Sequence, residues 1–269
     1  MAFATKQIAN QNLLVRVLGS CETTANATVI CTGKTGTLTQ NKMTVIAGTV
    51  GVHTKIVRRL EANRERVGSE ARSNLNATEF VLDLANLNAV LPRQLKDIFN
   101  AAIAINSTAF EDEDPESGAL VFIGNKTESA LLGFAKELSW PNYKATRNSA
   151  DIIQTIPFST DRKSMGCMVR LPDGSHRLYV KGASETLARN CTYHVVTGNV
   201  AVGANDVEIA PIGALEEQII SRTITSYTTQ TLRTIALCYR DFPSWPPKGT
   251  CLLHKNEASK PVTVPVFDT

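Results

Sequence analysis

The sequence lacks a long apolar segment. Its longest nearly unbroken apolar run extends from Ile98 to Ile105 and already contains Asn100, whereas a helix that crosses a bilayer needs about 20 consecutive apolar residues. The N-terminal residues also lack a short basic segment followed by an apolar stretch and a small-residue cleavage site. We therefore expect no membrane insertion by this chain, no secretory signal and a cytoplasmic location.

Basic blocks and clustered cysteines are missing as well. The chain has 28 basic and 25 acidic residues, a net charge of +3, and no basic block long enough to follow a phosphate backbone, so nucleic acid is not an expected partner. The six cysteines include no C-x-x-C pair, and the four histidines are dispersed. Neither residue type shows metal-ligand spacing, so we predict no protein metal site and thiols that are reduced, buried or inert.

The composition otherwise fits a folded protein with a substantial core. With 269 residues, 43% apolar and 20% charged, the chain is typical of one large or two modest globular domains. Apolar periodicity and turn residues predict an α/β chain in which strands and helices alternate. The predicted strands are 27–32, 43–52, 119–124 and a hairpin of 165–171 with 175–182; the predicted helices are 91–106, 126–138 with Thr127 as N-cap, 183–191, and a segment from 215 that runs into a strand ending near 240.

Three further segments are predicted to be irregular. Residues 53–78 are charged and rich in Asn and Arg without periodicity, which indicates a surface excursion. The acidic segment that begins at Glu111 is predicted to be a turn. The last 22 residues show neither helical spacing nor clear alternation and are predicted to be a frayed tail.

A small-residue loop, TGKTGTLT, follows the first predicted strand and suggests a phosphate contact. Gly33, Lys34 and Thr35 match the end of the P-loop pattern G-x-x-x-x-G-K-[ST]. That pattern also requires a glycine five residues before Gly33, and Thr28 occupies this position. The loop is therefore not interpreted as a P-loop.

The loop with its flanks reads ATVICTGKTGTLTQNKMTV. It lies among five motifs that occur in a characteristic order: CETTANAT before the loop, then GNKTESALLGFA, PFSTDRKSMG, YVKGASE and LRTIALCYRDFPSWPP. In this order they resemble the P-type cation-transporting ATPases, over roughly residues 1 to 247. The RTIALCYRDF ending is most similar to the calcium-pump branch of the plasma-membrane or vacuolar type, and particularly to its fungal members. Proteins of this family are integral membrane pumps.

The resemblance implies a fold and a domain division. The expected fold is α/β: a P-type ATPase nucleotide-binding domain, with an antiparallel sheet and flanking helices, plus an incomplete Rossmann-like phosphorylation-domain segment. Residues 1–47 correspond to the end of the transmembrane-linker region and the first strand and loop of the phosphorylation domain. Residues 48–240 correspond to the nucleotide-binding domain, and residues 241–269 to the hinge return and a divergent tail.

The resemblance places Gly33 where the family carries the aspartate that becomes phosphorylated. An aspartyl-phosphate intermediate requires a carboxylate nucleophile, which glycine cannot supply. We therefore expect no autophosphorylation and assign no catalytic residue. Lys34 and Thr35 would remain as neighbouring phosphate contacts. The missing carboxylate also removes a magnesium ligand, so Mg²⁺ binding should be weak or absent.

Six residues match the family's ATP site: Glu128, Phe158, Lys163, Lys181, Gly182 and Arg233. By resemblance, Phe158 stacks on adenine and Glu128 accepts a hydrogen bond from the adenine amino group. Lys163 and Lys181 attract the phosphates from opposite walls of the pocket, and Arg233 reaches them from a third segment. Gly182 lets the backbone approach the ligand closely.

The expected function is ATP binding by the cytosolic portion of a calcium-transporting P-type ATPase that neither autophosphorylates nor transports ions by itself. Two alternatives remain open at this point. The chain could be an active ATPase, or one completed in trans by a full-length calcium pump. It could also be a non-functional remnant or an incomplete gene model.

Overall fold

The computed structural model describes residues 6, 17, 19–29, 31–33, 37–40, 42–63, 80–114, 118–197 and 207–247. The chain divides into two compact units, Met1–Lys42 and Met43–Thr269. The predicted phosphate contacts Lys34 and Thr35 and the predicted tail lie outside the described residues. The predicted functional boundaries after residues 47 and 240 stay predictions.

The first unit contains helix α1 (Gly19–Ala25). The strand predicted for residues 27–32 is wrong for the residues described there, because 27–29 and 31–32 form no strand and Val29 is exposed. A β-branched run stabilises a strand only when a neighbouring strand and a buried face are available. Composition alone could not show that this partner is absent from the described residues.

The second unit contains most of the described secondary structure. In chain order its elements are β1 (Ala47–Val50), β2 (Thr54–Val57), α2 (Leu60–Asn63), β3 (Phe80–Asp83), a 3₁₀ turn (Leu84–Asn86), α3 (Leu87–Val90), α4 (Arg93–Ala104), β4 (Phe110–Glu113), β5 (Leu120–Ile123), α5 (Lys126–Glu137), α6 (Tyr143–Ser149), β6 (Asp151–Ser159), β7 (Ser164–Arg170), β8 (His176–Ala183), α7 (Ser184–Asn190), β9 (Tyr193–Val195), β10 (Ile209–Pro211), α8 (Ala214–Thr229) and β11 (Ile235–Phe242).

A four-stranded antiparallel sheet in the order β11-β8-β7-β6 forms the centre of this unit. The β7–β8 hairpin turns at Pro172-Asp173-Gly174, where Gly174 has a positive φ of 84° that glycine adopts without strain. Smaller sheets are formed by β1-β2-β3, by β4 with β5 and by β9 with β10. The predicted α/β class, with an antiparallel sheet and flanking helices, is confirmed.

Helix α4 joins the sheet to the rest of the core because two of its faces are apolar. Ile98 and Ala102 pack against Cys167 and Tyr179 of the sheet. Leu95 and Ile103 belong to a second cluster together with α5 residues such as Leu132. Because α4 packs on the sheet with one face and on α5 with the other, α5 lies beside the sheet. None of the helices in the described part of the chain has the length and apolar character to cross a membrane.

Several local predictions need correction. The N-cap of α5 is Asn125, whose side chain accepts a hydrogen bond from the Thr127 amide, so the prediction of Thr127 as the cap is wrong. Strand β4 occupies the segment predicted as an acidic turn, where Glu111 forms an ion pair with Lys136. Strand β2 and helix α2 occupy part of the segment predicted to be irregular, and β6, α6, β9 and β10 were not predicted as elements.

Candidate functional site

One end of the four-stranded sheet gathers five of the six residues predicted to bind a nucleotide. Antiparallel pairing places Ser159 opposite Ser164, Ser164 opposite Gly182, and Ala183 opposite Ile235. The end of β6, the start of β7, the end of β8 and the start of β11 therefore meet at one edge of the fold. Five of the predicted residues belong to these pairs or lie within two positions of them: Phe158, Lys163, Lys181, Gly182 and Arg233.

The sixth residue, Glu128, reaches this region from the first turn of α5. Its Oε1 accepts a hydrogen bond from the Lys181 ammonium at 2.7 Å. Glu128 is only 4% exposed and Lys181 only 5%. The Lys181 ammonium also donates to the backbone carbonyl of Asn106. The chain thus buries an ion pair and gives each charge a polar environment, as burial of charge requires.

The second carboxylate oxygen of Glu128 is held by the segment between α4 and β4. Oε2 accepts hydrogen bonds from the Thr108 amide and hydroxyl, both at 2.8 Å, from the Ala109 amide at 3.2 Å and from the Ser107 hydroxyl at 3.3 Å. Burial raises the pKa of Glu128, but the hydrogen bonds and the charge of Lys181 outweigh it and hold this pKa below its ordinary value. The carboxylate is therefore ionised at neutral pH.

Hydrogen-bonding capacity remains on both partners of this pair. An ammonium group has three donors, and Lys181 uses two of them, on Glu128 and Asn106. A carboxylate oxygen can accept two hydrogen bonds, and the structure gives Oε1 of Glu128 only the one from Lys181 among the described residues. Burial lowers the pKa of Lys181, whereas its contact with Glu128 opposes this shift.

Gly182 allows the β6–β7 turn to pack directly on β8. A Cβ atom at this position would lie 2.5 Å from the Lys163 carbonyl oxygen and 2.7 Å from the Ser164 Cβ. Lys163 has a positive φ of 51°, and its carbonyl accepts a hydrogen bond from the Ala183 amide at 3.0 Å. The absence of a side chain at residue 182 therefore determines where Lys163 lies.

Three of the predicted residues are accessible at the surface. Phe158 lies on the edge strand β6 and is 62% exposed. A large aromatic ring is usually buried in a folded protein, so this exposure is unusual. Lys163 and Arg233 are also exposed, and neither side chain has a hydrogen-bond or ion-pair partner in the described part of the chain. The same sheet end therefore presents an exposed ring, two exposed cations and a buried ion pair.

Residues 94–264 match the family described as P-type ATPase, cytoplasmic domain N. The chain belongs to the P-type ATPases. The match includes all but the first residue of α4, the four-stranded sheet and all six candidate residues, so the geometry described above is that of domain N.

Curated relatives agree with this assignment. The chain is 55% identical over 251 residues to calcium-transporting ATPase 2 of Cryptococcus neoformans, covering 93% of the chain and 18% of the relative. It is 37% identical over 251 residues to calcium-transporting ATPase 2 of Schizosaccharomyces pombe, covering 92% and 18%. It is 33% identical over 256 residues to human plasma membrane calcium-transporting ATPase 4, covering 91% and 18%.

The resemblance to calcium-pump P-type ATPases, including fungal ones, is therefore confirmed. The chain spans about 18% of the length of these relatives. The roles of individual residues in ATP binding stay predictions.

In this P-type ATPase chain, Gly33 lies in the first unit and is exposed. A Cβ atom added there would meet no heavy atom within 4 Å. The first atom of a side chain at this position would therefore cause no steric conflict with the described residues. Among the described residues, no group of three or more His, Cys, Asp or Glu side chains is arranged to hold a metal ion.

Sequence reasoning missed the residues that surround the Glu128–Lys181 pair in domain N. Asn106 marked only the end of a predicted helix, yet it is 1% exposed and its side-chain amide lies 3.4 Å from the Met165 and Tyr179 carbonyls. The sequence did contain a signal for this environment, namely the polar run of Asn106, Ser107 and Thr108 directly after an apolar helix. Such a run offers hydroxyl and amide donors to an anion.

Proposed function

We propose that this chain binds ATP as part of domain N of a calcium-transporting P-type ATPase. The observation that carries the proposal is the meeting of the exposed Phe158 ring with Lys163, Lys181 and Gly182 at one sheet end, beside the buried Glu128 carboxylate. An aromatic face and a few convergent polar groups are the usual components of a site for a charged aromatic ligand.

We assign the contacts with ATP according to the exposed surface or the unused hydrogen-bonding position of each side chain. Phe158 offers a face for adenine, an interaction worth about 1–3 kcal/mol per base in nucleic-acid sites. Lys163 and Arg233 are exposed cations for the phosphates. Glu128 keeps one acceptor position on Oε1 for the adenine amino group, and Lys181 keeps one N–H donor. A dissociation constant of roughly 0.1–1 mM would correspond to about 4–5.5 kcal/mol of binding free energy.

The calcium assignment rests on the relatives, whose names state that they transport calcium. We extend that cargo to the pump from which this chain derives and not to the chain acting alone. The partner that we propose for this chain is a full-length calcium pump.

We also propose that this chain does not autophosphorylate. Gly33 carries no nucleophile where the family has its aspartate, and an unactivated hydroxyl such as that of Thr32 is a poor substitute without a positioned base. Binding of Mg²⁺ by the protein itself is proposed to be weak or absent for the same reason. ATP would then be held without transfer of its terminal phosphoryl group.

The test of ATP binding is isothermal titration of the full chain with millimolar ATP, together with NMR shifts of Phe158, Lys163 and Lys181. A saturable heat with shifts at these residues supports the site. Lys163→Ala should weaken binding, whereas Lys144→Ala should not, because this exposed lysine lies on α6, which leads into the opposite end of β6. Absence of both heat and shifts contradicts the proposal and favours a non-functional remnant.

ATP labelled at its γ-phosphate tests the second part. We expect no acid-stable label on the protein and no phosphate release above that of Lys181→Ala. Label or release above this control would show that the chain is an active ATPase. The proposal that Gly33 prevents phosphorylation would then be wrong. The same assay with a full-length calcium pump added tests completion in trans.

A further inference from the structure

Two cysteines that are far apart in the sequence meet outside the proposed nucleotide site. The Sγ atoms of Cys191 and Cys238 lie 3.4 Å apart, across 47 residues of sequence. Both thiols are free and half-buried. Because the chain has no C-x-x-C motif, this pair is a product of the fold and not of local sequence.

The topology explains why these thiols meet. Strand β11 pairs with β8, which places Cys238 opposite Val180. Helix α7 follows β8 directly and ends with Cys191 as its C-cap. At the other end of α7, the Ser184 hydroxyl donates to the Thr234 hydroxyl at 2.7 Å, just before β11 begins. Helix α7 is therefore held against β11 at both ends, by a hydroxyl pair and by a thiol pair.

The remaining distance is small enough for a covalent bond. A disulfide has an S–S distance of about 2.05 Å, so the two sulfurs must approach by roughly 1.4 Å. Cys191 lies at a helix end, where a side-chain rotation and a small backbone adjustment are tolerated. No other sulfur pair in the described part of the chain is in hydrogen-bond contact.

The chemistry of the two thiols is unequal. Hydrogen bonding to Cys238 lowers the pKa of Cys191, against the effect of burial. The same contact and burial raise the pKa of Cys238 well above its ordinary value. The thiolate is the nucleophile in thiol–disulfide exchange. We take Cys191, which lies at the end of α7, as the attacking sulfur and Cys238, which lies within β11, as the resolving one.

We propose that Cys191 and Cys238 form a reversible disulfide, a redox modification site that locks α7 to β11 when a low-molecular-weight disulfide such as glutathione disulfide is the oxidant. The Cys191 thiolate attacks glutathione disulfide, forms a mixed disulfide and releases one glutathione thiolate. Cys238 then loses its proton and attacks the Cys191 sulfur, releasing the second glutathione. Two electrons pass from the protein to glutathione disulfide, and the two thiol protons end on two glutathione molecules.

The bond would close a loop that contains β9, β10, α8 and Arg233. Cross-linking restricts the unfolded chain and so favours the folded state, more for a long loop than for a short one. We expect the thermal unfolding midpoint of the oxidised protein to exceed that of the reduced protein by roughly 5 °C or more. This site does not depend on ATP binding and goes beyond the proposed function.

The experiment equilibrates the full chain in glutathione buffers from fully reduced to fully oxidised. We expect the intact protein to lose the mass of two hydrogen atoms, and non-reducing peptide mapping to find Cys191 linked to Cys238. Cys191→Ser and Cys238→Ser should each abolish the link. Cys167→Ser is the matched control and should retain it, because that thiol is buried and burial raises its pKa.

Three results would overturn the proposal. The first is glutathione bound to Cys191 with no link to Cys238. The second is a link that forms no faster in the folded chain than in denaturant. The third is preferential pairing with the exposed Cys31. Peptide mapping of the unmodified protein needs no variant, so a variant that fails to fold does not obscure the result.

Discussion

The ammonium of Lys181 lies 2.7 Å from the carboxylate of Glu128, and this contact joins the first turn of α5 to the end of β8. Both side chains are buried, so neither charge can turn to water if its partner is lost. The pair also lies at the sheet end where Phe158 and Lys163 are exposed. A single interaction thus contributes both to the core and to the proposed ATP site.

Removal of one partner of this pair should strongly destabilise the second unit. We expect Lys181→Met to cost about 3 kcal/mol, near the low end for a broken buried pair, because Glu128 keeps its donors from Ser107, Thr108 and Ala109. Urea unfolding followed by circular dichroism measures the change. Lys163→Ala is the matched control and should change stability by less than about 0.5 kcal/mol, because this lysine is exposed.

A double variant separates the ion pair from simple packing. With Glu128→Gln added to Lys181→Met, no unpaired charge remains, so part of the lost stability should return. The four stabilities form a cycle whose coupling term measures the pair. Strictly additive losses in that cycle would mean that the two charges do not stabilise each other.

Acid should weaken the fold through Glu128. The pKa of this carboxyl is held below its ordinary value of 4.5, so its contribution to stability is complete above about pH 4.5. That contribution is lost as the pH falls through the lower folded-state pKa, because the unfolded chain then binds the proton first. Urea midpoints measured at several pH values between 3 and 7 show this loss.

Glu128→Gln provides the comparison for the acid profile. Hydrogen bonds from the Leu60 and Ala85 amides also hold the pKa of Asp83 low, so the wild type has more than one source of acid sensitivity. The difference between wild type and variant isolates Glu128 and should shrink as the pH falls below about 4.5. A difference that stays constant down to pH 3 would show that Glu128 does not titrate as described.

The absent side chain at residue 182 should matter more than its small size suggests. In Gly182→Ala the new methyl group would meet the Lys163 carbonyl at 2.5 Å and the Ser164 Cα at 2.8 Å. Both are backbone atoms, so the β6–β7 turn has to move, at a cost of about 1–3 kcal/mol. Urea unfolding measures this cost, and titration with ATP should show weaker binding.

Gly133 on α5 is the matched control for that variant. A Cβ atom there would meet nothing within 4 Å, and helical residues favour alanine over glycine. Gly133→Ala should therefore raise stability by up to about 1 kcal/mol. Equal behaviour of the two alanine variants would contradict the close approach described for Gly182.

Elements with strong local signals were predictable, and contacts between distant segments were not. The apolar spacing from Leu95 to Ile105 predicts α4, and the turn at Asp173-Gly174 predicts the β7–β8 hairpin, because both signals lie within a few residues. Strand β4 was missed since a run of acidic residues is typical of a turn. The strand forms because it pairs with β5, and the composition of β4 alone does not show that pairing.

The candidate site follows the same division. Family motifs supplied the residue types at the sheet end, but not their environment. Glu128 and Lys181 are 53 residues apart, and nothing in either motif shows that they bury each other's charge. Asn106 and the hydroxyls that follow it were missed for the same reason, since their role appears only when α5 packs beside α4.

Phe158 allows ATP binding to be separated from stability. Its ring is 62% exposed, so Phe158→Ala removes little buried surface and should change the free energy of unfolding by about 1 kcal/mol or less. If the ring stacks on adenine, the same change should weaken ATP binding by about 1–3 kcal/mol, or roughly 5- to 150-fold. Isothermal titration and urea unfolding of the same preparation measure both quantities.

Phe110→Ala is the control because Phe110 is also a half-exposed ring, 47% exposed, but lies on β4 outside the four-stranded sheet. It should leave the ATP affinity unchanged at a similar small cost in stability. Titration with adenosine and with inorganic triphosphate then tests the two parts of the site separately. Phe158→Ala should weaken the binding of adenosine and leave the binding of triphosphate unchanged, whereas Lys163→Ala should do the reverse. Equal loss of both ligands in Phe158→Ala would show that the ring positions the sheet end and does not stack on the base.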